Sequence, residues 1–145
     1  PFFDQYFPPI RDLIESEEDA LAVINSTLVS FALGWLEIPT PTIMASALGV
    51  DVDGGPTAVN LNICRAVGAR TYLSGVSGRE YLDLGQFVAA GIDVEFQEFR
   101  HPTYRQRYEP FVPCMSVVDL LFNHGPESAN ILRGMGAELV ERSPV

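Results

Sequence analysis

The chain has 145 residues, of which 47% are hydrophobic and 19% charged, which is typical of one globular domain and excludes an intrinsically disordered class. Nine cationic side chains stand against 19 carboxylates, giving a formal net charge of −10. This balance argues against nucleic acid as a partner. The two cysteines, Cys64 and Cys114, have neither a metal-type nor a disulfide-type spacing, which indicates reduced thiols and a cytoplasmic location.

Two features bear on targeting and on membranes. The chain starts at Pro1 without a methionine or the basic and apolar stretches of a signal peptide, so we expect that residues preceding it are missing. Residues 20–36 carry no charge, but polar side chains interrupt the segment and Leu21, Ile24 and Leu28 recur at steps of three and four. This pattern predicts a buried helix of a soluble domain and no transmembrane segment.

The predicted elements alternate between helices and strands along residues 1–145. Residues 92–99 alternate apolar and polar side chains, which is typical of a half-buried strand. The β-α-β-α-β order favours an α/β domain with a small, mostly parallel sheet of three to four strands and helices packed on its faces. In chain order, we predict a helix over residues 10–15, a long helix from a capping box at Ser16 and Asp19 to Pro39, a strand over 41–46, a helix over 57–66, a strand over 70–74, a helix over 79–90, a strand over 92–99, helices from Ser116 and Pro126, and a strand over 137–141.

Two segments invite a metal or loop assignment. The acidic loop over residues 49–56 lacks the alternating ligands and terminal glutamate of a calcium loop, and His101 and His124 have no metal-ligand spacing, so no metal site is predicted. Residues 100–114 contain three prolines and several aromatic side chains, which predicts a long irregular loop. Long ordered loops in compact domains are often functional.

The glycine-rich turn Ser74-Gly75-Val76-Ser77-Gly78-Arg79 follows a predicted strand and precedes a predicted helix. Backbone N–H groups at such a turn can approach an anion, although the turn matches neither named nucleotide motif. A tight turn that needs glycine for its backbone angles explains the same residues equally well.

His101 and Tyr104 begin the long loop, at the sheet edge where the glycine-rich turn is also expected. His101 is a candidate general base, with Tyr104 and Arg79 orienting a carboxylate, phosphate or sugar hydroxyl. The alternative is that His101 caps a strand end and Tyr104 packs against the domain.

Asp119 and Asn123 form a third candidate group. Asp119 is a candidate partner for a histidine or arginine of the site, and Asn123 for a ligand at the helix end. Capping by Ser116 and Asp119, and helix termination at Asn123 to Gly125, explain them as well. Cys64 lies between apolar residues and is predicted to belong to the core.

Three blocks of this sequence resemble the WbqC-like family and occur in that family's order. The family is found in bacterial gene clusters for O-antigen and other surface polysaccharides, and its members carry a further N-terminal portion. The resemblance implies that residues 1–145 are a truncated, C-terminal part of such a protein. The matching blocks are NICRAVGARTYLSGVSGREYL at residues 62–82, FRHPTY at residues 99–104, and SVVDLLFN with GPES at residues 116–128.

The resemblance also implies a function and a set of site residues. It implies a role in surface polysaccharide biosynthesis and does not identify the reaction or a cofactor. The enzyme hypothesis for this pathway is a transferase that acts on an amino sugar or nucleotide-sugar by acyl-type transfer. The chain departs from the family at residues 56–59, where relatives carry charged side chains. The site residues implied are His101 and Asp119 as catalytic candidates, and Ser74, Gly75, Ser77, Gly78, Arg79, Tyr81, Tyr104 and Asn123 for substrate binding.

Two alternatives stay open. The first alternative to an enzyme is a non-catalytic ligand-binding or interaction module. The second is a remnant without activity. In the interaction module, the aromatic side chains of residues 2–7 would lack their N-terminal partner segment and form a homodimer or a complex with another subunit.

Overall fold

A computed structural model describes residues 1–134 and the backbone of residues 140–142. The chain divides into two compact units: a helical unit, Pro1–Pro41 with Arg100–Ala137, and a sheet unit, Thr42–Phe99 with Glu138–Val145. The single domain over residues 1–145 stays a prediction. The elements are α1 (Phe3–Ile14), α2 (Leu21–Trp35), α3 (Gly55–Ala66), β1 (Thr71–Gly75), α4 (Leu84–Ala89), β2 (Asp93–Gln97), α5 (Val117–His124), α6 (Ser128–Arg133) and β3 (Val140–Arg142).

The sheet unit confirms the α/β class. Strands β1 and β2 pair in parallel, with Thr71 opposite Asp93 and Gly75 opposite Gln97, and β3 pairs antiparallel with β2. A mostly parallel sheet of three to four strands is not shown, because parallel pairing in the described residues is confined to β1 and β2. Of the predicted final strand, residues 137–139 lie outside the described residues.

The strand predicted over residues 41–46 is wrong. Residues 41–44 have no regular structure, and a 3₁₀ helix, Ala45–Leu48, follows them. Ile43 and Met44 are 61% and 45% exposed, so this segment has no buried face that would hold it in a sheet.

The core of the sheet unit lies between β2 and the helices α3 and α4. Val94 and Phe96 of β2 are buried, as their alternation predicts, and Phe87 of α4 is fully buried against them. Cys64 of α3 belongs to the same core, as predicted, and burial raises the pKa of its thiol. This thiol is therefore a packing group.

The helix predicted over residues 79–90 is split in two. A 3₁₀ helix, Val76–Glu80, follows β1 directly, and α4 begins only at Leu84. The side chain of Asp83 accepts from the N–H of Gly85 at 3.0 Å and so caps α4. The capping group therefore lies four residues after the glycine-rich turn.

The helical unit starts with α1, which runs through Pro8 and Pro9 instead of beginning after them. Pro8 and Pro9 have no N–H to donate within the helix, and the residues before them make aromatic ring contacts. Phe3 stacks on Phe7 at 4.5 Å between ring centroids, and Tyr6 meets Trp35 edge-on at 5.1 Å. Tyr6 is 3% exposed, so the aromatic N-terminal segment already has partners within this unit.

Helix α2 begins at Leu21, five residues after the predicted cap. The Ser16 hydroxyl donates to the carbonyl of Leu13 at 2.7 Å and so belongs to the end of α1. The prediction of a buried helix is wrong, because none of the residues of α2 is buried and Leu21 is 68% exposed. No helix in the described residues is long and apolar enough to cross a membrane.

Candidate functional site

Asp119 lies in the first turn of α5, three residues after the N-cap. Ser116 caps the helix, as predicted, by accepting from the N–H of Val118 at 3.3 Å. The side chain of Asp119 does not return to the cap. Its oxygen Oδ2 instead accepts a hydrogen bond of 2.8 Å from the hydroxyl of Tyr104.

Three neutral donors hold the Asp119 carboxylate. Besides Tyr104, the amide of Gln106 donates to Oδ2 at 3.1 Å, and the amide of Asn123 donates to Oδ1 at 3.1 Å. Asn123 also donates to the backbone carbonyl of Asp119 at 2.8 Å, which fixes the orientation of its amide. Three of the predicted site residues are thus brought together, with their polar atoms aimed at one carboxylate.

Tyr104 is the buried member of this group, with 8% of its surface exposed. Its ring packs against those of His101, Phe111 and His124 at centroid distances of 5.9, 5.6 and 5.6 Å. Burial raises the pKa of the Tyr104 phenol, and its hydrogen bond to Asp119 raises the pKa further. Tyr104 is therefore protonated at neutral pH and acts as a donor.

Both ring nitrogens of His101 lie near backbone carbonyl oxygens. Nδ1 is 2.9 Å from the carbonyl of Pro102, and Nε2 is 3.4 Å from that of Met115. A carbonyl only accepts, so a ring nitrogen that bonds to it carries the proton. The role of His101 as a general base stays a prediction.

Gln106 clamps the loop that follows it. Its side-chain amide donates to the carbonyl of Val112 at 2.9 Å and accepts from the N–H of Val112 at 2.8 Å. One side chain thus forms both hydrogen bonds that a neighbouring strand would form. Since the same amide also reaches Asp119, it ties the base of the loop to α5.

Two adjoining cavities of the helical unit share Gln106, Arg107 and Asn123 among their lining residues and form one cleft. The arginine end, of about 520 Å³, is lined additionally by Arg105 and His124. The apolar end, of about 380 Å³, is lined additionally by Asp119 and Glu109 and by the apolar side chains of Phe3, Pro110, Val112, Met115 and Phe122.

The predicted residues of the glycine-rich turn lie in the sheet unit. Ser74 is 5% exposed, and a Cβ on Gly78 would overlap its hydroxyl oxygen, so Gly78 is required for close packing. The guanidinium of Arg79 lies 4.5 Å from the ring centroid of Phe96 and 3.6 Å from a carboxylate oxygen of Glu98. These contacts give the turn a packing role.

The remaining members of this group are Gly75, Ser77 and Tyr81. Gly75 is the last residue of β1, Ser77 lies in the 3₁₀ helix and Tyr81, 50% exposed, follows it. A role of this turn in binding, and one site shared with His101, Tyr104, Asp119 and Asn123, both stay predictions.

Comparison with known proteins identifies the family. The family model described as the WbqC-like protein family matches residues 1–131. The chain belongs to this family. A curated relative of this WbqC-like protein, the uncharacterized protein Rv1507c of Mycobacterium tuberculosis, is 31% identical over 121 residues, which are 83% of this chain and 52% of the relative. The chain thus spans about half the length of that relative, and no solved structure matches it.

Three cleft residues of this WbqC-like protein were given no role from the sequence, although Arg105 and Gln106 directly follow the site candidate Tyr104. Gln106 gives no local signal, because its partners Val112 and Asp119 are set by the path of the loop. Arg105 and Arg107 did have a signal: residues 100–107 hold three of the nine arginines and no carboxylate, in a chain of net charge −10. In the described residues, no group of three or more His, Cys, Asp or Glu is arranged to hold a metal ion.

Proposed function

We propose that this WbqC-like protein acts in the cytoplasm in bacterial surface polysaccharide (O-antigen) biosynthesis, and that it binds an amino sugar or a nucleotide-sugar in the cleft of the helical unit. The observation that carries the proposal is the Asp119 carboxylate, which lines the cleft and is oriented by the donors of Tyr104, Gln106 and Asn123.

The hydrogen-bonding capacity of Asp119 suits a sugar. An ionised carboxylate has about four lone-pair sites, and three side-chain donors use three of them. Since the carboxylate lines the cleft, the remaining capacity serves a ligand hydroxyl or ammonium group. Groups held by several hydrogen bonds cost little reorganisation when a ligand binds, which favours recognition of a polar, multiply hydroxylated molecule.

The reaction proposed is acyl-type transfer to the sugar amine. The amine nitrogen attacks the carbonyl carbon of an ester or thioester donor, a C–N bond forms, and the bond from that carbon to oxygen or sulfur breaks. The leaving group departs with the electron pair, and the nitrogen loses a proton to a base. Asp119, which lines the cleft, is the proposed proton acceptor, and Tyr104 and Asn123 orient it. His101, the other catalytic candidate, is not among the residues that line the cleft.

The second candidate is a binding module without catalysis. It is favoured by the same contacts, because Asp119 already accepts three hydrogen bonds and both ring nitrogens of His101 lie near backbone carbonyls. Groups so engaged bind and orient a ligand without exchanging protons with it. Acyl transfer to an amino sugar by the protein, lost in the Asp119→Asn variant, separates the two candidates.

Calorimetric titration with a panel of free amino sugars and nucleotide-sugars tests the binding step. A ligand at about 100 times its Kd adds roughly 2.7 kcal/mol of stability, so a thermal shift accompanies the heat signal. We expect Asp119→Asn to weaken binding and Asp19→Asn, an exposed carboxylate that precedes α2, to leave it unchanged. No binding by any member of the panel, or equal loss in the two variants, would overturn the proposal.

A further inference from the structure

We infer that the arginine end of the cleft binds the phosphate groups of a nucleoside diphosphate or its sugar-linked form. This inference rests on the proposed function for the sugar part of the ligand, and it narrows the proposed ligand from an amino sugar or a nucleotide-sugar to the phosphate-bearing one. It also places the anion in the helical unit, whereas the sequence alone suggests the glycine-rich turn of the sheet unit.

The charged side chains that line the cleft are unevenly distributed between its two ends. The arginine end has two guanidinium groups, from Arg105 and Arg107, together with His124, and none of the carboxylates in the described residues lines it. Asp119 and Glu109 line the apolar end, and Arg107 lines both ends. Two carboxylates repel phosphate from the apolar end, while the guanidinium groups attract it at the other end, so an elongated anionic ligand has one favoured orientation.

The two guanidinium groups have no carboxylate partner in the described part of the chain. Arg11 pairs with Asp12, and Arg79 pairs with Glu98, whereas neither Arg105 nor Arg107 forms an ion pair with a described residue. Arg107 lies instead 5.6 Å from the ring centroid of Tyr108. Arginine forms paired hydrogen bonds with phosphate oxygens, so these side chains are suited to a diphosphate.

The backbone that carries these arginines is held in place. His124 Nε2 lies 2.9 Å from the carbonyl of Arg105, and the intervening Gln106 bonds to Val112 and Asp119. The two arginines therefore project from a fixed segment. The net charge of −10 does not cancel this local effect, because charges farther away than a Debye length, about 10 Å at 0.1 M salt, are largely screened.

Calorimetry with uridine diphosphate and with uridine separates the phosphate contribution from that of the base and ribose. We expect the diphosphate to bind with a Kd that rises with salt, and uridine to bind far more weakly. The Arg105→Gln/Arg107→Gln double variant should raise the Kd for uridine diphosphate about 100-fold, since loss of each of the two charged contacts costs roughly tenfold, which corresponds to about 1.4 kcal/mol.

The matched control is the Arg65→Gln/Arg70→Gln double variant, which removes the same charge from exposed positions of the sheet unit. An unchanged Kd in this control supports a local site. Equal weakening in the two double variants, or equal binding of uridine and its diphosphate, would overturn the inference.

Two further outcomes separate this inference from the proposed function. If an amino sugar without phosphate binds in an Asp119-dependent manner and uridine diphosphate does not bind, the proposed function is retained and the phosphate site is overturned. Binding of inorganic pyrophosphate that depends on Arg105 and Arg107, with no amino sugar or nucleotide-sugar binding, would retain the phosphate site and overturn the proposed function.

Discussion

Replacing Asp119 by asparagine tests the hydrogen-bonding group at the centre of the candidate site. The variant keeps the size and shape of the side chain but substitutes an NH₂ group for one oxygen. Because Tyr104 and Gln106 both donate to Oδ2, the least costly orientation keeps the remaining oxygen there. The NH₂ group then faces the NH₂ group of Asn123, which bonds to Oδ1 in the native protein.

The expected loss follows from these contacts. One hydrogen bond to a charged acceptor is lost, and two others become neutral and weaker. Hydrogen bonds to charged groups contribute about 1.5–3 kcal/mol each, so we expect a loss of roughly 2–3 kcal/mol in the free energy of unfolding. In a chain of this size, this corresponds to a decrease in Tm of about 8–12 °C.

Urea denaturation of Asp119→Asn, Tyr104→Phe and the double variant measures the coupling. We expect a coupling free energy of about 0.5–3 kcal/mol between the two positions, as found for residues in direct contact. The Asp19→Asn variant controls for the loss of one negative charge. A loss below about 0.5 kcal/mol for Asp119→Asn, with no coupling to Tyr104, would refute the hydrogen-bonding scheme.

Three other outcomes are expected. Gly78→Ala should lower the free energy of unfolding in urea by about 1–3 kcal/mol because of overpacking. Gly75→Ala is the control and should be close to neutral, because no atom outside the neighbouring residues lies within 4 Å of the added Cβ. Equal effects of the two substitutions would contradict the packing role. The exposed Cys114 should react quickly with a thiol reagent and the buried Cys64 only on unfolding, so two fast thiols by absorbance would be inconsistent with the core. Burial raises the pKa of Tyr104 above its ordinary value of 10.0, so the contribution of its neutral phenol to stability is present below that pH and is lost as pH rises through the raised pKa. Between pH 9 and 11, the free energy of unfolding should therefore fall less in Tyr104→Phe than in the native protein. Parallel plots of this free energy against pH for the two proteins would contradict the reasoning.

Local signals predicted the parts of the fold that depend on neighbours in sequence. Ser116 caps α5 because its hydroxyl reaches an N–H two residues later, and the alternation of Val94 and Phe96 marks the buried face of β2. Both patterns are complete within a few residues. A complete local pattern is not sufficient by itself, because the capping box predicted at Ser16 and Asp19 does not start a helix.

The wrong predictions depend on contacts between distant segments. Pro8 and Pro9 predict a helix start, but α1 runs continuously through them, and its Phe3 and Tyr6 pack against Phe122 and Trp35. The apolar stripe of α2 predicts burial, yet a stripe does not state whether another element covers it. Tertiary packing determines where α1 begins and how far α2 is buried, and the periodicity of a segment does not predict such packing.

The candidate site shows the same division. The bond from Tyr104 to Asp119 joins residues 15 positions apart and was not predicted, although both residues were site candidates from blocks that resemble one family. No role was predicted for Gln106, because a glutamine in a loop has no distinctive sequence pattern. The arginines of residues 100–107 were visible as a local excess of positive charge, which net charge alone conceals.

The clamp formed by Gln106 determines which positions of the loop can vary without loss of its hydrogen bonds. Its amide joins both ends of the five-residue segment 107–111 without using any side chain within that segment. The tip can therefore change in sequence while the anchor to Asp119 stays in place. Since Arg107, Glu109 and Pro110 of this tip line the cleft, substitutions at these positions would change its charge and shape and leave the hydrogen bonds of Gln106 in place.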